Sequence, residues 1–171
     1  LGNEARAWSL ANERIHLLRS EWVKLDRDYL VWALDQLRRR RRLDEVRTLV
    51  NEVLLKDDYL TREHLAAVRL IKADIYRDEE NYEAARIEYE SIRQNEALKT
   101  TEAARQAKAR LLELMIAIGN YDGAEEVLER WRTHSQIFMR SQAYYFTALI
   151  GFKRGEYDHA RESLQTTFEL M

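Results

Sequence analysis

The sequence lacks proline and cysteine altogether and has only five glycines in its 171 residues. With so few residues that interrupt or weaken a helix, helix is expected to dominate. The absence of cysteine excludes a disulfide framework, thiolate metal sites and cysteine nucleophiles. Such a chain is compatible with the cytoplasm and with a bacterial periplasm, so the compartment stays open.

Neither sign of charge dominates, since 28 basic and 30 acidic residues give a formal net charge of −2. This balance provides no overall attraction to nucleic acid or to an anionic membrane. The longest nearly apolar stretch, residues 143–152, is about half of the twenty residues that a membrane-spanning helix needs. We therefore expect no nucleic-acid partner and no membrane insertion.

Side-chain patterns of enzymes and metal sites are also missing. The four histidines fall on different segments, without a second histidine or a carboxylate at a metal-binding spacing: His16, His64, His134 and His159. The sequence has no glycine-rich phosphate loop, nucleophile elbow or two-histidine zinc helix. We expect no catalytic residue, no metal site and no cofactor, and a function other than catalysis.

What the sequence does contain is an internal repeat. Four segments superpose and each is expected to open a helix: Leu43-Asp-Glu-Val46, Tyr82-Glu-Ala-Ala85, Tyr121-Asp-Gly-Ala124 and Tyr157-Asp-His-Ala160. Their first residues are separated by 39, 39 and 36 residues, a period typical of helical solenoids. An apolar residue recurs four positions after the last residue of each segment: Val50, Tyr89, Leu128 and Leu164. This spacing predicts one buried face per helix.

A second helical segment precedes each of these helices, over residues 20–38, 61–77, 101–118 and 136–153. The repeating unit is therefore predicted to be a helical hairpin. Gly119 and Gly155 lie inside two hairpins, where the end of a helix favours a left-handed residue. Between hairpins, Thr61 and Thr101 are predicted N-caps, because a hydroxyl can accept a bond from the first turn.

The packing positions of the hairpins resemble those of the tetratricopeptide repeat (TPR) family. The resemblance is carried by small residues and one tyrosine: Ala73, Tyr76 and Ala148 in first helices, and Ala85, Ala124 and Ala160 in second helices. It implies an all-α fold, a right-handed α-solenoid of antiparallel helix pairs with about four TPR-like hairpins and one N-terminal helix. The period exceeds the family's usual 34 or so residues, so other helical-pair solenoids stay open as alternatives.

On this basis the chain is predicted to be a single TPR-like solenoid domain over residues 1–171. The leading helix covers 1–19, and the hairpins cover 20–56, 61–95, 101–134 and 136–171. Because the chain opens without a methionine or a signal segment, we expect it to be a fragment of a longer array.

The resemblance also implies that a partner protein or peptide binds a concave groove lined by the first helix of each hairpin. Aligning the repeats assigns these groove positions: Val31, Asp35 and Arg38, then Leu70, Asp74 and Arg77, then Ala109, Glu113 and Ile116, and finally Tyr145, Leu149 and Phe152. The groove is mixed in charge at its N-terminal end and aromatic at its C-terminal end. Such a surface suits a segment with an apolar anchor.

A protein–protein interaction scaffold is therefore the expected function. Two other roles stay open, and nothing in the sequence separates them from the first. The chain could be a regulatory module of a larger system, such as a bacterial transcriptional regulator. It could also be a periplasmic scaffold in polysaccharide export that docks an enzyme or guides the polymer.

Two further features carry expectations about contacts. The run of five arginines from Arg38 to Arg42 could bind an anion, or it could pair with the acidic turn at residues 78–80, one repeat later. We favour the pairing, because stacked repeats bring equivalent turns together. The last hairpin is rich in aromatic residues and is expected to present an apolar face, so we expect self-association through it or through the leading helix bearing Trp8, Leu10 and Ile15.

Overall fold

The computed structural model describes residues 26–56 and 59–171, and these residues form eight α-helices and no strand. The helices are α1 (Arg27–Arg39), α2 (Leu43–Leu54), α3 (Arg62–Asp78), α4 (Tyr82–Gln94), α5 (Glu102–Ala117), α6 (Tyr121–Arg132), α7 (Ile137–Arg154) and α8 (Tyr157–Glu169). The all-α class is thereby confirmed. The predicted leading helix over 1–19, with Trp8, Leu10 and Ile15, lies outside the described residues, as does the start of the first hairpin.

The helices pack mostly against their neighbours in sequence. The chain divides into two compact units, the first ending at Leu111 and the second covering Leu112–Met171. In the first unit, α1 pairs with α2, α3 pairs with α4, and α3 also packs on both α1 and α2. In the second unit, α7 packs against α6 and α8. None of the described helices is long and apolar enough to cross a membrane.

The sequence repeat is visible in where the helices begin. Leu43, Tyr82, Tyr121 and Tyr157 are the first residues of α2, α4, α6 and α8, which confirms that the four aligned segments open helices. The predicted caps are also present. The Thr61 hydroxyl accepts a bond from the backbone N–H of His64 at 3.4 Å, and the Thr101 hydroxyl accepts one from that of Ala104 at 3.2 Å.

The turn between the two helices of a hairpin is the same in all four hairpins. In each, the residue after the turn donates its N–H to a carbonyl five residues earlier: Arg42 to Leu37, Asn81 to Tyr76, Asn120 to Met115 and Glu156 to Gly151. Gly119 and Gly155 have left-handed φ angles of +78° and +80°, as predicted. The equivalent residues in the first two hairpins are Arg41 and Glu80, both with φ of 60°, which the sequence analysis did not anticipate.

Each unit has an apolar core formed by the faces that the repeat predicts. In the first unit the buried core comes from α1, α2 and α3: Leu30, Ala33, Leu34, Leu37, Val46, Leu49, Val50, Val53, Val68, Ile71 and Ile75. In the second unit it comes from α6, α7 and the end of α5: Leu112, Ile116, Ala124, Leu128, Ala143, Phe146 and Ile150.

Candidate binding site

Of the positions assigned to a groove, the charged ones in the first unit form a largely buried ionic cluster. Arg38, on α1, is the centre of this cluster and is almost fully buried. Its guanidinium donates to Asp35 at 2.9 Å and to Asp78 at 2.7 Å, and it lies 3.6 Å from Asp74. Since Asp74 and Asp78 belong to α3, the cluster ties α1 to α3.

Asp74 is the second buried member of the cluster, and its carboxylate is contacted from several directions. The hydroxyl of Tyr89, on α4, donates to it at 2.5 Å. The guanidinium of Arg77 lies 3.3 Å from it, and Arg110 lies 3.8 Å from it. A buried carboxylate needs such compensation, because desolvation without partners would be costly.

The pKa shifts in the cluster follow from the same contacts. Burial acts to raise the pKa of Asp35, but hydrogen bonds from Arg38 and Arg39 outweigh it and hold that pKa below its ordinary value. Burial and then the negative charge of Asp74 raise the pKa of Tyr89. Tyr89 therefore stays protonated, and its hydroxyl donates a hydrogen bond to Asp74. The cluster is a set of compensated charges that holds helices together.

Two residues of the arginine run, Arg38 and Arg41, contact the neighbouring turn, which confirms for them the interpretation favoured from the sequence. Besides the bond from Arg38 to Asp78, a guanidinium nitrogen of Arg41 donates to the backbone carbonyl of Asp78 at 3.2 Å. Arg39 and Arg42 pair within their own hairpin, with Asp35 and Glu45, each at 2.5 Å. These arginines are therefore engaged by acids and a carbonyl of the chain itself.

The other assigned positions differ in how accessible they are. Leu70 and Ile116 are buried, and Val31 packs partly buried against the core of the first unit. Arg77, Ala109 and Glu113 are half-buried. A role of these residues in partner binding stays a prediction, and it would need surface that the helices now cover.

Only the α7 positions form an exposed surface. Tyr145 is 46% exposed and Phe152 is 61% exposed, while Leu149 between them is half-buried against the core. Phe138, which the sequence analysis missed, extends the same line and is 68% exposed. We call Phe138, Tyr145, Leu149 and Phe152 the α7 row; their spacing of seven, four and three residues keeps them on one face of the helix.

Aromatic contacts hold α7, the helix that carries the α7 row, against its neighbouring helices. Tyr145 packs edge-on against Phe146, with 5.3 Å between ring centroids, and Phe146 contacts Trp131 of α6 at 6.4 Å. Phe152 packs edge-on against Tyr157 at the start of α8, at 5.8 Å. Phe138 could have been found by extending the row one heptad toward the N-terminus of the helix.

The charged residues of α7 itself are of one sign. Within α7 there is no acidic residue, and the basic residues are Arg140, Lys153 and Arg154. Arg154 is engaged with α6, where Asp122 and Glu125 accept from it at 2.9 and 2.7 Å. Lys153 is exposed and follows Phe152 in the sequence.

Comparison with known proteins adds no assignment to this geometry. Neither the protein-family models nor the curated proteins that were compared with the chain match it. The resemblance to the TPR family therefore rests on the chain's own residues and periodicity.

Proposed function

We propose that this chain is a TPR-like helical-repeat scaffold that binds a partner protein through the α7 row. The observation that carries the proposal is the exposure of Phe138, Tyr145 and Phe152 along one face of α7. Large aromatic side chains lined up in water mark interaction surfaces, because covering them releases much apolar surface. Their spacing matches the anchors with which helical segments dock.

Two observations support the solenoid part of the proposal. The helix α3 packs on both α1 and α2, as the first helix of one hairpin does when it stacks on the hairpin before it. The same left-handed turn also recurs four times, at residues 41, 80, 119 and 155. Such an array offers a rigid helix as the platform for the partner.

The chemistry of the row indicates the kind of partner. Three aromatic rings and a leucine suit apolar anchors at helical spacing, so the partner is an amphipathic protein segment. Because α7 lacks acidic residues and Lys153 lies next to Phe152, an acidic residue at one end of that segment would be favoured. The aromatic anchors supply most of the affinity, and the charge orients the segment.

The experiment is a pull-down from extract of the source cell, followed by calorimetric titration of each purified partner. The test variant combines Tyr145→Ala with Phe152→Ala. The matched control combines Trp32→Ala with Tyr82→Ala, two exposed aromatic residues of the first unit. Loss of an anchor costs about 2 kcal/mol, so the partner should be lost from the test variant and kept by the control.

Circular dichroism melting must show that both double variants stay folded. A partner retained equally by both variants would contradict the proposal, because its binding would then not depend on the α7 row. Failure of the wild-type chain to retain any partner would contradict it as well.

A further inference from the structure

A polar cleft of about 470 Å³ lies where α6, α7 and α8 meet. The helix α6 contributes two glutamates and an arginine to its lining, α7 a tyrosine and a threonine, and α8 a histidine and a serine. Because α7 packs against both α6 and α8, the cleft is bounded by helices of a single unit. Its volume lies in the range of roughly 300–1,000 Å³ that is typical of small-molecule sites. No residue of the α7 row lines the cleft, so it is distinct from the surface of the proposed function.

Two short hydroxyl side chains in the cleft belong to buried residues, Thr147 and Ser163, each 5% exposed. The Thr147 hydroxyl is satisfied, since it donates to the backbone carbonyl of Ala143 at 2.9 Å and accepts from Arg132 at 2.8 Å. The Ser163 hydroxyl has no hydrogen-bond partner among the described residues. A hydroxyl in so buried a residue is costly to leave unpaired, so a molecule in the cleft is expected to supply its partner.

The repeat shows that these two hydroxyls stand where other hairpins carry different side chains. In the second hairpin the equivalent residues are Lys72 and Glu88, whose ammonium and carboxylate groups pair at 2.5 Å. In the first and third hairpins the residues at the two positions are apolar: Ala33 and Leu49, then Leu111 and Val127. Only the fourth hairpin has a short hydroxyl side chain at both positions. The space that a long charged pair fills in the second hairpin is therefore left as a cleft.

The charged residues that line the cleft are already neutralised. Arg132 pairs with Glu129 at 2.5 Å, and Glu125 accepts from Arg154 at 2.7 Å. Each carboxylate makes this contact through one oxygen and can accept a further hydrogen bond through the other. The cleft therefore offers acceptors without an excess of charge of either sign.

We propose that this cleft binds a neutral polyhydroxylated ring, that is, a sugar. Each hydroxyl of a sugar both donates and accepts, and the side chains of Tyr144, His159 and Ser163, which have no partner among the described residues, can also do both. An anionic ligand would meet the two glutamates, and a cationic one would meet their arginine partners, so neither is favoured. The half-buried ring of Tyr144 adds an apolar wall.

Nuclear magnetic resonance titration of the full chain tests the proposal. The probes are glucose, galactose, mannose and N-acetylglucosamine, each as a single ring and as its β-linked trisaccharide. At least one neutral probe should bind with a Kd of about 1 mM or tighter and shift the amide signals of Tyr144, Thr147 and Ser163. Tighter binding of the trisaccharide would identify a segment of a polysaccharide as the ligand, and equal binding would identify a single ring; both outcomes support the proposal.

Substitutions of Ser163 show whether the cleft is the site. Ser163→Ala removes only the hydroxyl and should raise the Kd about three- to tenfold, the effect of one lost hydrogen bond. Ser163→Val also fills the cleft and should raise the Kd about tenfold or more. Because valine stands at the equivalent position of the third hairpin, this variant should fold. Thr166→Val is the matched control on the same helix, outside the cleft, and should leave the Kd unchanged.

The charge of the probe provides a second test. Galacturonate and glucosamine carry a carboxylate and an ammonium group on a similar ring and should bind more weakly than the neutral probes. The proposal is overturned if no neutral probe shifts the three amide signals, if a charged probe binds more tightly, or if Ser163→Val binds like the wild-type chain. The variant with Tyr145→Ala and Phe152→Ala should bind the sugar normally, so failure of the proposed function and failure of this proposal are distinguishable.

Discussion

At the scale of single residues, burial of Arg38 and Asp74 is the feature that most affects how the chain is understood. Charged side chains are buried only when partners compensate for lost hydration. Here Arg38 receives compensation from Asp35 on its own helix and from Asp74 and Asp78, about forty residues later. The first unit therefore depends on an ionic contact for the packing of α3 on α1.

Replacing Arg38 by methionine should test this dependence. The apolar stem would be kept, but Asp35, Asp74 and Asp78 would lose a shared positive charge, so we expect the free energy of unfolding to fall by about 3 kcal/mol. Arg39→Met is the control. Because Arg39 is mostly exposed, its replacement should lower the free energy of unfolding by less than about 1 kcal/mol. Urea denaturation measures both. Equal losses of unfolding free energy in the two variants would show that the burial of Arg38 adds nothing to stability.

The position that Arg38 occupies in the repeat, compared across the four hairpins, shows why the sequence alone did not define the binding site. Arg38, Arg77, Ile116 and Phe152 are equivalent, yet Arg38 and Ile116 are buried, Arg77 is half-buried and Phe152 is exposed. Periodicity predicts that these residues share a face of their helices. It does not tell whether another helix lies on that face, so burial of a position has to be read from the packed structure.

At the scale of elements, the turns inside the hairpins were only half predictable. Glycine at 119 and 155 indicated a left-handed residue, because glycine adopts positive φ without steric cost. Arg41 and Glu80 adopt the same conformation without that signal, since the bonds of the turn and the packing of the helices impose it. The helix starts were better predicted, because Leu43, Tyr82, Tyr121 and Tyr157 repeat in register.

Relieving the left-handed strain at Glu80 should stabilise the chain. Glu80→Gly removes the side-chain clash and is expected to raise the free energy of unfolding by about 0.5 to 1 kcal/mol. Glu80→Ala is the matched control, because it removes the charge but keeps the Cβ atom, and it should give no such gain. The reverse change, Gly119→Ala, meets no atom within 4 Å and should destabilise by about 1 kcal/mol through the backbone alone.

Thermal melts of the three variants show whether each change stabilises or destabilises the chain. If Glu80→Ala stabilises as much as Glu80→Gly, the effect belongs to the lost carboxylate and the backbone argument fails. If Gly119→Ala leaves the stability unchanged, the turn tolerates a side chain at this position without loss of unfolding free energy.

At the scale of the whole molecule, the repeat predicted the hairpins from local signals. Caps at Thr61 and Thr101 and the apolar positions Val50, Tyr89 and Leu128 each depend on a few neighbouring residues. The binding surfaces depend on which hairpin faces stay uncovered, and that property is not local. The α7 row was found only in part for this reason.

The proposed solenoid makes a prediction about how stability is distributed. In a repeat array each hairpin contacts only its neighbours, so damage to one core should be felt most strongly nearby. Leu128→Ala removes a fully buried side chain from the second unit and should cost about 2 to 5 kcal/mol there. Leu34→Ala makes the same deletion in the core of the first unit.

Native-state hydrogen exchange measures the outcome amide by amide. Leu128→Ala should lower protection in α6, α7 and α8 more than in α1 and α2, and Leu34→Ala should show the opposite pattern. Equal loss of protection along the whole chain in both variants would mean that the helices unfold as one cooperative body. That result would contradict an array of hairpins stabilised by nearest neighbours, whereas opposite gradients would support it and indicate that the α7 row lies on a locally stable hairpin.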